Sequence, residues 1–238
     1  MNNSKILIIG HEGASTIAPG NTLKAFRKAI ELKADLIEFD LQFSKDNEMV
    51  IHHDSNILNT SGYDGLIREM TLKELKKLDF GEGEKIITLK ELIKIAKDRI
   101  GLLFDLKAPG LDENLVEVLR NENLGNQSIV SSFSFNLLIK IQRIDNSLKF
   151  GLLLSEEMKS KQILIKRIQK AVKNNFYSIH LHFSVIDHQV IEFCHENNLK
   201  VFGWTVNDEK DMRHLIQMGI DGIITDDIQL LKNVLNKN

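Results

Sequence analysis

Short apolar runs alternate with longer segments of helical periodicity along the whole chain. The apolar runs predict strands at residues 5–10, 35–43, 100–107, 128–133, 148–154, 177–183, 200–206 and 221–226. The helical patterns fall at residues 21–33, 88–98, 111–123, 134–145, 158–173, 187–197, 208–218 and 226–236. Eight strand and helix pairs in a chain of this length are typical of an α/β fold, the (β/α)8 TIM barrel, in which a parallel sheet closes on itself.

The regular alternation is interrupted after the second strand, at about residues 44–87. There "EMVIHHD" is typical of a short extra strand, and the remainder predicts a loop with one short helix. A connection this long in a compact domain is usually functional. We therefore expect one barrel domain, residues 1–238, with a small insertion.

Polar side chains collect where the predicted strands end, which is the face of a TIM barrel that carries active sites. They are His11 after the first strand, Glu38 and Asp40 in the second, His53 after the extra strand, and Asp105 and Lys107 in the third. Because the carboxyl ends of parallel strands meet on one rim, we expect these groups to lie close together.

The carboxylates among these residues point into the predicted barrel. Side chains alternate across a strand, so Glu38 and Asp40 share one face and their apolar neighbours share the other. Asp105 and Lys107 repeat this arrangement. Buried charges are costly unless they are paired or bind a metal. Three carboxylates without a nearby cysteine favour one hard divalent cation, Mg²⁺ or Ca²⁺, and the alternative is a ring of salt bridges with Lys107.

His11 and His53 are the other chemical groups of the predicted rim. A pair of imidazoles is suited to general acid and general base catalysis near neutral pH. In "VIHHD", His52 and His53 point to opposite sides, so only one of them can serve the site. A cation together with a lysine favours an anionic substrate, such as a phosphate ester.

Composition and charge narrow the class of protein. The chain is 42% apolar and 27% charged, as in a globular protein with a full core. The net charge of -2 gives no electrostatic signature of nucleic acid or of an anionic membrane surface as a partner. The apolar run before Gly10 is too short for a signal peptide or a membrane anchor, so we expect a cytoplasmic protein. Oligomeric state is left open.

Several motifs, taken in order, resemble the glycerophosphodiester phosphodiesterase family. They are "IGHEGAS" with "APGNT", "ADLIEFDLQFSKDNEMVIHHD", "FDLK", "VFGWTVND" and "MGIDGIITDD". The resemblance covers nearly the whole chain. It implies a TIM barrel that uses one divalent cation to hydrolyse glycerophosphodiesters to glycerol 3-phosphate and an alcohol.

The resemblance also implies a role for individual residues. Glu38, Asp40 and Asp105 would hold the cation, His11 and His53 would act as acid and base, and Lys107 would contact the phosphate. Which histidine is the acid stays open. Trp204 would line the pocket, or would be an ordinary core aromatic residue.

Three positions depart from the family pattern. Asp105 stands where a glutamate is usual, Gly20 replaces the glutamate of Pro-Glu-Asn-Thr, and Glu12 replaces the arginine of His-Arg-Gly. Arginine would bind phosphate with two hydrogen bonds. Glutamate repels it, at a cost on the order of 4 kcal/mol for charges ~4 Å apart at an effective dielectric near 20.

Glu12 therefore allows three interpretations as a substrate-binding position. It turns to solvent or pairs with a lysine; it binds the metal or a cationic headgroup; or it marks a site that is inactive or altered in substrate. If residues 12 and 20 touch, the two replacements are one coupled change.

The predicted function is accordingly a metal-dependent phosphodiesterase for glycerophosphodiesters. One alternative is a phosphodiesterase of lysophospholipase D type, which needs an exposed apolar platform near the barrel mouth. The other is a divergent, catalytically weak or inactive barrel that binds a phosphorylated ligand.

Overall fold

The chain folds as alternating strands and helices, and the computed structural model describes residues 5–157 and 160–236. The described strands are β1 (Leu7–Gly10), β2 (Leu36–Phe43), β3 (Met49–Ile51), β4 (Ile87–Thr88), β5 (Gly101–Leu106), β6 (Ser128–Ser132), β7 (Lys149–Leu154), β8 (Ser178–His182), β9 (Lys200–Trp204) and β10 (Gly222–Thr225). The described helices are α1 (Leu23–Glu31), α2 (Leu58–Ser61), α3 (Leu72–Leu75), α4 (Leu89–Ala96), α5 (Asp112–Asn121), α6 (Phe135–Ile144), α7 (Lys161–Lys173), α8 (His188–Glu196), α9 (Glu209–Met218) and α10 (Ile228–Asn236). Single 3₁₀ turns lie at Ile67–Glu69, Gly125–Gln127 and Phe183–Val185.

Eight parallel strands close into a barrel. β1, β2, β5, β6, β7, β8, β9 and β10 pair in this order, and β10 pairs back with β1. The predicted TIM barrel is therefore confirmed, and each predicted strand agrees with the observed one to within two residues. The first two positions of the helix predicted at 158–173 lie outside the described residues.

Side chains at the helix starts explain several of the element boundaries. The Thr22 hydroxyl accepts a hydrogen bond from the backbone of Ala25 and begins α1. Thr88 and Glu91 cap α4 reciprocally, and Asp208 caps α9. No helix of residues 5–157 and 160–236 is both long and apolar enough to cross a membrane.

Strand alternation divides the apolar core into two layers. The outward side chains, such as Ile37, Phe39 and Phe104, pack between the sheet and the helices. The inward apolar side chains fill the barrel itself; they are Ile9, Leu36, Leu103, Ile129, Phe202 and Ile224. The barrel is thus packed at its lower end, and the polar inward residues lie above this layer at the carboxyl ends of the strands.

The insertion forms a small subdomain beside β2. β3 runs antiparallel to β2, and β4 runs antiparallel to β3. Its own apolar cluster consists of Val50, Ile57, Ile67, Leu75, Phe80 and Ile86. The prediction of a single short helix is wrong, because both α2 and α3 form. The sequence of α2, Leu-Asn-Thr-Ser, has poor helix propensity, and Gly62 in the left-handed conformation ends it after one turn.

Candidate active site

A cavity of about 200 Å³ opens at the carboxyl ends of the barrel strands. Its lining includes the histidines, carboxylates and lysine predicted from the sequence, namely His11, Glu38, Asp40, His53, Asp105 and Lys107. The remaining lining residues are Ser131, Phe133, Leu153, His180, Trp204, Thr205 and Ile224. The structure therefore brings seven of the eight predicted site residues to one cavity, and Glu12 lies beside it.

Three carboxylates form the centre of the charged lining. Glu38 and Asp40 project from β2, and Asp105 projects from the adjacent β5 in register with Asp40. One oxygen from each lies within 4.8 Å of the others, and all three side chains are buried. Burial raises the pKa of Glu38 well above its usual value, and the nearby charge of Asp40 adds to this. Burial also raises the pKa of Asp105, to about 6, against the attraction of Lys107.

Lys107 makes salt bridges to two of these carboxylates. Its Nζ lies 3.0 Å from Asp40 Oδ1 and 2.6 Å from Asp105 Oδ2. Burial opposes the lysine charge, but the two aspartates outweigh it and raise the pKa of Lys107. The salt bridges named as the alternative to a metal are thus present, although they involve only two of the three carboxylates.

The cluster is able to hold a metal ion. Lys107 supplies one positive charge to three carboxyl groups, so it cannot neutralise all of them when they are ionised. Among the described residues, Asp105 Oδ1 is buried and has no hydrogen-bond partner. Within the described part of the chain, Glu38 receives only a long hydrogen bond from the backbone of Glu12, at 3.3 Å. Carboxylate oxygens with free acceptor capacity are the ligands that Mg²⁺ and Ca²⁺ prefer, so this donor set fits a hard cation.

His11 is held by a carboxylate at the end of β10. Its Nδ1 lies 2.7 Å from Asp226 Oδ1, and its Nε2 lies on the side of Glu38, 4.0 Å from Oε2. Asp226 is itself fixed by the Ser15 hydroxyl at 2.8 Å and by the Asn207 amide at 2.5 Å. Burial lowers the pKa of His11, but the Asp226 hydrogen bond and the charge of Glu38 raise it to about 9. Asp226 therefore orients the ring with Nε2 toward the carboxylate cluster.

We expect Asp226→Asn to lower kcat by roughly 10- to 100-fold and to leave KM nearly unchanged, because misorienting an imidazole removes catalysis without removing substrate contacts. Steady-state kinetics of the variant test this. Lys161→Met is the control, because it breaks a salt bridge with Asp187 and neither residue lines the cavity. A change in KM as large as the change in kcat would indicate that Asp226 shapes the substrate-binding surface and does not orient the His11 ring.

His53 and His52 point to opposite sides of the chain after β3. His53 lines the cavity, and its Nδ1 lies 2.7 Å from Asp54 Oδ1. His52 is buried in the insertion, where its Nε2 lies 2.8 Å from Thr60 Oγ1 and its ring packs edge-on against Phe80. Of this pair, His53 is the one placed for chemistry.

Trp204 combines the two roles proposed for it. The indole lines the cavity and also packs against the inner apolar layer of the barrel. Its ring meets Phe133 and His182 edge-to-face, with centroids 5.7 and 5.4 Å apart. Trp204 is thus a wall of the cavity that is anchored in the core.

Glu12 lies next to the cluster in a left-handed backbone conformation, with φ of 52°. Burial raises the pKa of its carboxyl, and the charge of Asp40 contributes in the same direction. Within residues 5–157 and 160–236, no lysine forms a salt bridge with Glu12. Of the three interpretations, the structure therefore gives no support to a lysine partner.

Gly20 leaves the space that the Glu12 side chain occupies. A Cβ added at position 20 would lie 2.0 Å from Glu12 Oε2 and 3.0 Å from Glu12 Cβ. Glu12 in this position and a side chain at residue 20 therefore exclude one another. Glu12 and Gly20, two of the three departures from the family pattern, are therefore in direct contact. A coupled change at the two positions requires such a contact.

This contact predicts a coupled effect on stability. We expect Gly20→Ala to lower the free energy of unfolding by about 1–2 kcal/mol through overpacking. In a Glu12→Gly background the same change is expected to cost less than about 0.5 kcal/mol, because every Glu12 side-chain atom that the added Cβ would meet is gone. Urea unfolding of the four proteins measures the coupling, and Gly125→Ala is the matched control because its added Cβ meets its nearest atom at 3.5 Å. Equal costs in both backgrounds would contradict the coupling.

Sequence reasoning missed several residues of the site. Asp226 and Asn207 lie in motifs noted for the resemblance, "IITDD" and "WTVND", but nothing local to those motifs indicates that Asp226 contacts His11 or that Asn207 contacts Asp226. His180 carried a signal, since a polar residue inside the apolar run "YSIHLHF" is unusual for a buried strand. Phe133 carried none, because it follows β6 as an exposed loop residue.

Comparison with known proteins decides the family. The model of the glycerophosphoryl diester phosphodiesterase family matches residues 11–230. The chain belongs to this family. A glycerophosphodiester phosphodiesterase of Caldanaerobacter subterraneus subsp. tengcongensis is 36% identical over 98% of this chain and 99% of its own. The predicted resemblance is confirmed, and so is the prediction of a phosphoric diester hydrolase.

Solved structures of the family share the barrel. A glycerophosphodiester phosphodiesterase of Thermotoga maritima is 29% identical, with a TM-score of 0.85 over 98% of this chain and 100% of that one. An Oleispira antarctica phosphodiesterase, solved in complex with the product sn-glycerol-3-phosphate, is also 29% identical, with a TM-score of 0.86 over 97% of this chain and 96% of that one. The cavity described above lies at the end of the barrel where TIM-barrel enzymes carry their active sites.

Proposed function

We propose that the protein hydrolyses glycerophosphodiesters to glycerol 3-phosphate and an alcohol, with one divalent cation and with His11 and His53 as acid and base. The observation that carries the proposal is the meeting of two histidines, three carboxylates and a lysine at one cavity. The relatives named above, one of them bound to sn-glycerol-3-phosphate, support the same substrate class.

The proposed reaction transfers a phosphoryl group to water. The water oxygen bonds to phosphorus, the bond from phosphorus to the alcohol oxygen breaks, one histidine takes the proton of the water, and the other gives a proton to the leaving alkoxide. A cation held by Glu38, Asp40 and Asp105 would polarise a phosphoryl oxygen. Lys107 contributes a positive charge at the cavity lining, where its Nζ is held by Asp40 and Asp105.

Release of glycerol 3-phosphate tests the proposal. With glycerophosphoethanolamine, we expect release with Mg²⁺ or Ca²⁺, none in EDTA, and recovery when the cation is restored. The double variant His11→Ala with His53→Ala, purified in parallel, controls for contaminating hydrolases. No release with either cation would contradict the hydrolase and favour the barrel that only binds a phosphorylated ligand. Undiminished release in EDTA would contradict the metal requirement alone.

One observation favours the lysophospholipase D alternative. Among the described residues with large, exposed apolar side chains, Ile17 and Phe133 follow the carboxyl ends of the barrel strands β1 and β6, and Leu58 and Tyr63 lie in the insertion. Comparing kcat/KM for glycerophosphoethanolamine and its monoacyl form separates the two activities. We expect the deacylated substrate to be preferred, and a preference for the acylated one would support the alternative.

A further inference from the structure

The inner end of the cavity holds a histidine that the proposed chemistry does not use. His180 lies on β8 and is fully buried, yet it lines the cavity. Its neighbours Ile179 and Leu181 pack in the outer apolar layer, so His180 points into the barrel. It therefore forms part of the cavity wall within the barrel and not part of the loop rim.

The His180 ring is fixed in one orientation. Its Nε2 lies 2.8 Å from Ser178 Oγ, and the ring stacks on Phe202 with centroids 5.0 Å apart. Gly151 on β7 leaves room for the ring, since a Cβ there would lie 2.6 Å from its Cε1 and Nε2. A ring packed in this way presents its other nitrogen at a defined position.

That other nitrogen has no partner. His180 Nδ1 is buried and forms no hydrogen bond with any described residue. Burial lowers the pKa of His180 to about 3, so the ring is neutral at pH 7. A neutral imidazole has one donor and one acceptor nitrogen, and when Nε2–H donates to Ser178, Nδ1 is a free acceptor.

A second unpartnered group lies on the same cavity. Trp204 Nε1–H is buried without a hydrogen-bond acceptor among the described residues. Of the four such buried side-chain atoms in the described part of the chain, three belong to residues of this cavity, namely Asp105, His180 and Trp204. Buried polar groups are rarely left unpaired, so this cavity is where a polar ligand is needed.

We propose that His180 and Trp204 bind a hydroxyl of the substrate's glycerol half, which places glycerol at the inner end of the cavity and the alcohol half toward solvent. This inference rests on the proposed function. A hydroxyl group accepts from Trp204 Nε1–H and donates to His180 Nδ1, which satisfies both groups. A neutral ring beside Leu153 and Ile224 suits an uncharged polyol and not a second anionic group.

The test compares glycerophosphoethanolamine with the propyl ester that lacks both free glycerol hydroxyls. We expect the parent protein to prefer the glycerol ester by about 10- to 100-fold in kcat/KM, because the propyl ester leaves the two buried groups unpaired. His180→Phe is expected to reduce this preference to about threefold or less, through a larger loss on the glycerol ester than on the propyl ester. His188→Phe, the same exchange at an exposed position on α8, is expected to change neither rate.

Several results would overturn the inference. Equal cleavage of both esters by the parent would mean that water alone pairs with His180, and the proposed hydrolase would still stand. Equal losses on both esters in His180→Phe would assign the ring a packing role. If His180→Phe fails to fold, two measurements replace it. One is the preference of His180→Gln, which keeps a polar group, for the glycerol ester over the propyl ester. The other is the same preference in the parent protein. Cleavage of neither ester would overturn the proposed function and this inference together.

Discussion

Glu38→Gln is expected to lower kcat/KM by about 1,000-fold, because it removes one of three carboxylates proposed to hold the cation, and a bound metal stabilises a phosphoryl-transfer transition state by several kcal/mol. The same substitution is expected to stabilise the folded protein when no metal is bound. Glu38 is buried beside two other carboxylates, and among the described residues Lys107 makes salt bridges to Asp40 and Asp105 and not to Glu38. Relief of this repulsion should raise the free energy of unfolding by on the order of 1 kcal/mol.

Thermal unfolding with and without Mg²⁺ or Ca²⁺ separates the two effects. The parent is expected to gain stability as the cation concentration rises, because a ligand that binds only the folded state stabilises it. Glu38→Gln is expected to lose that gain while its metal-free midpoint stays equal or higher. Glu113→Gln, at an exposed position on α5, is the matched control. A variant that still gains as much from the cation as the parent would contradict the role of Glu38 as a ligand.

The carboxylate cluster is the part of the site that strand periodicity predicts best. Because side chains alternate with a period of two, the sequence around Glu38, Asp40 and Asp105 places all three inside the barrel once the fold is known. The fold itself follows from counting strand and helix pairs. Both inferences need only the local sequence pattern and the rule that eight strand and helix pairs close into a barrel. Together they predict which side chains point into the barrel as well as the fold itself.

Contacts between residues that lie far apart in the sequence cannot be predicted from strand or helix periodicity. Asp226 supports His11 across 215 positions of the chain, and only the closure of β10 on β1 brings them together. The contact between Glu12 and Gly20 depends on a loop whose path no periodicity encodes. The sequence predicts one helix in the insertion where α2 and α3 both form, for a related reason: Ile57 and Ile67 pack beside α2, whose helix propensity is poor.

The salt bridges of Lys107 leave part of the charge repulsion in the site uncompensated, and the surrounding fold has to offset the remainder. Burial raises the pKa of Glu12 and Glu38, and Asp40 adds to both shifts. The inner apolar layer and the insertion supply the compensating packing. Strain of this kind is expected where a site is preorganised for a ligand, and the cation and the substrate are the groups that would relieve it.

His11→Ala is expected to lower kcat by ~10³-fold on glycerophosphoethanolamine but by less than about tenfold on the p-nitrophenyl ester of glycerol 3-phosphate. Asp226 accepts the Nδ1–H of His11 at 2.7 Å, which stabilises a charged ring with its second proton on Nε2 beside the cluster. Such a ring is suited to protonate a leaving alkoxide. A nitrophenolate leaves without a proton, so loss of the acid should matter little for that ester.

His53→Ala is the comparison that completes this assignment. The His53 side chain is 54% exposed, against 27% for His11, so water from solvent reaches it more readily. A base that activates water is needed whatever the leaving group, and His53→Ala is therefore expected to lower kcat by ~10³-fold on both esters. The reverse pattern would exchange the two roles. If each variant loses as much on one ester as on the other, neither histidine acts as the acid, and Asp226 would orient His11 for a different catalytic step.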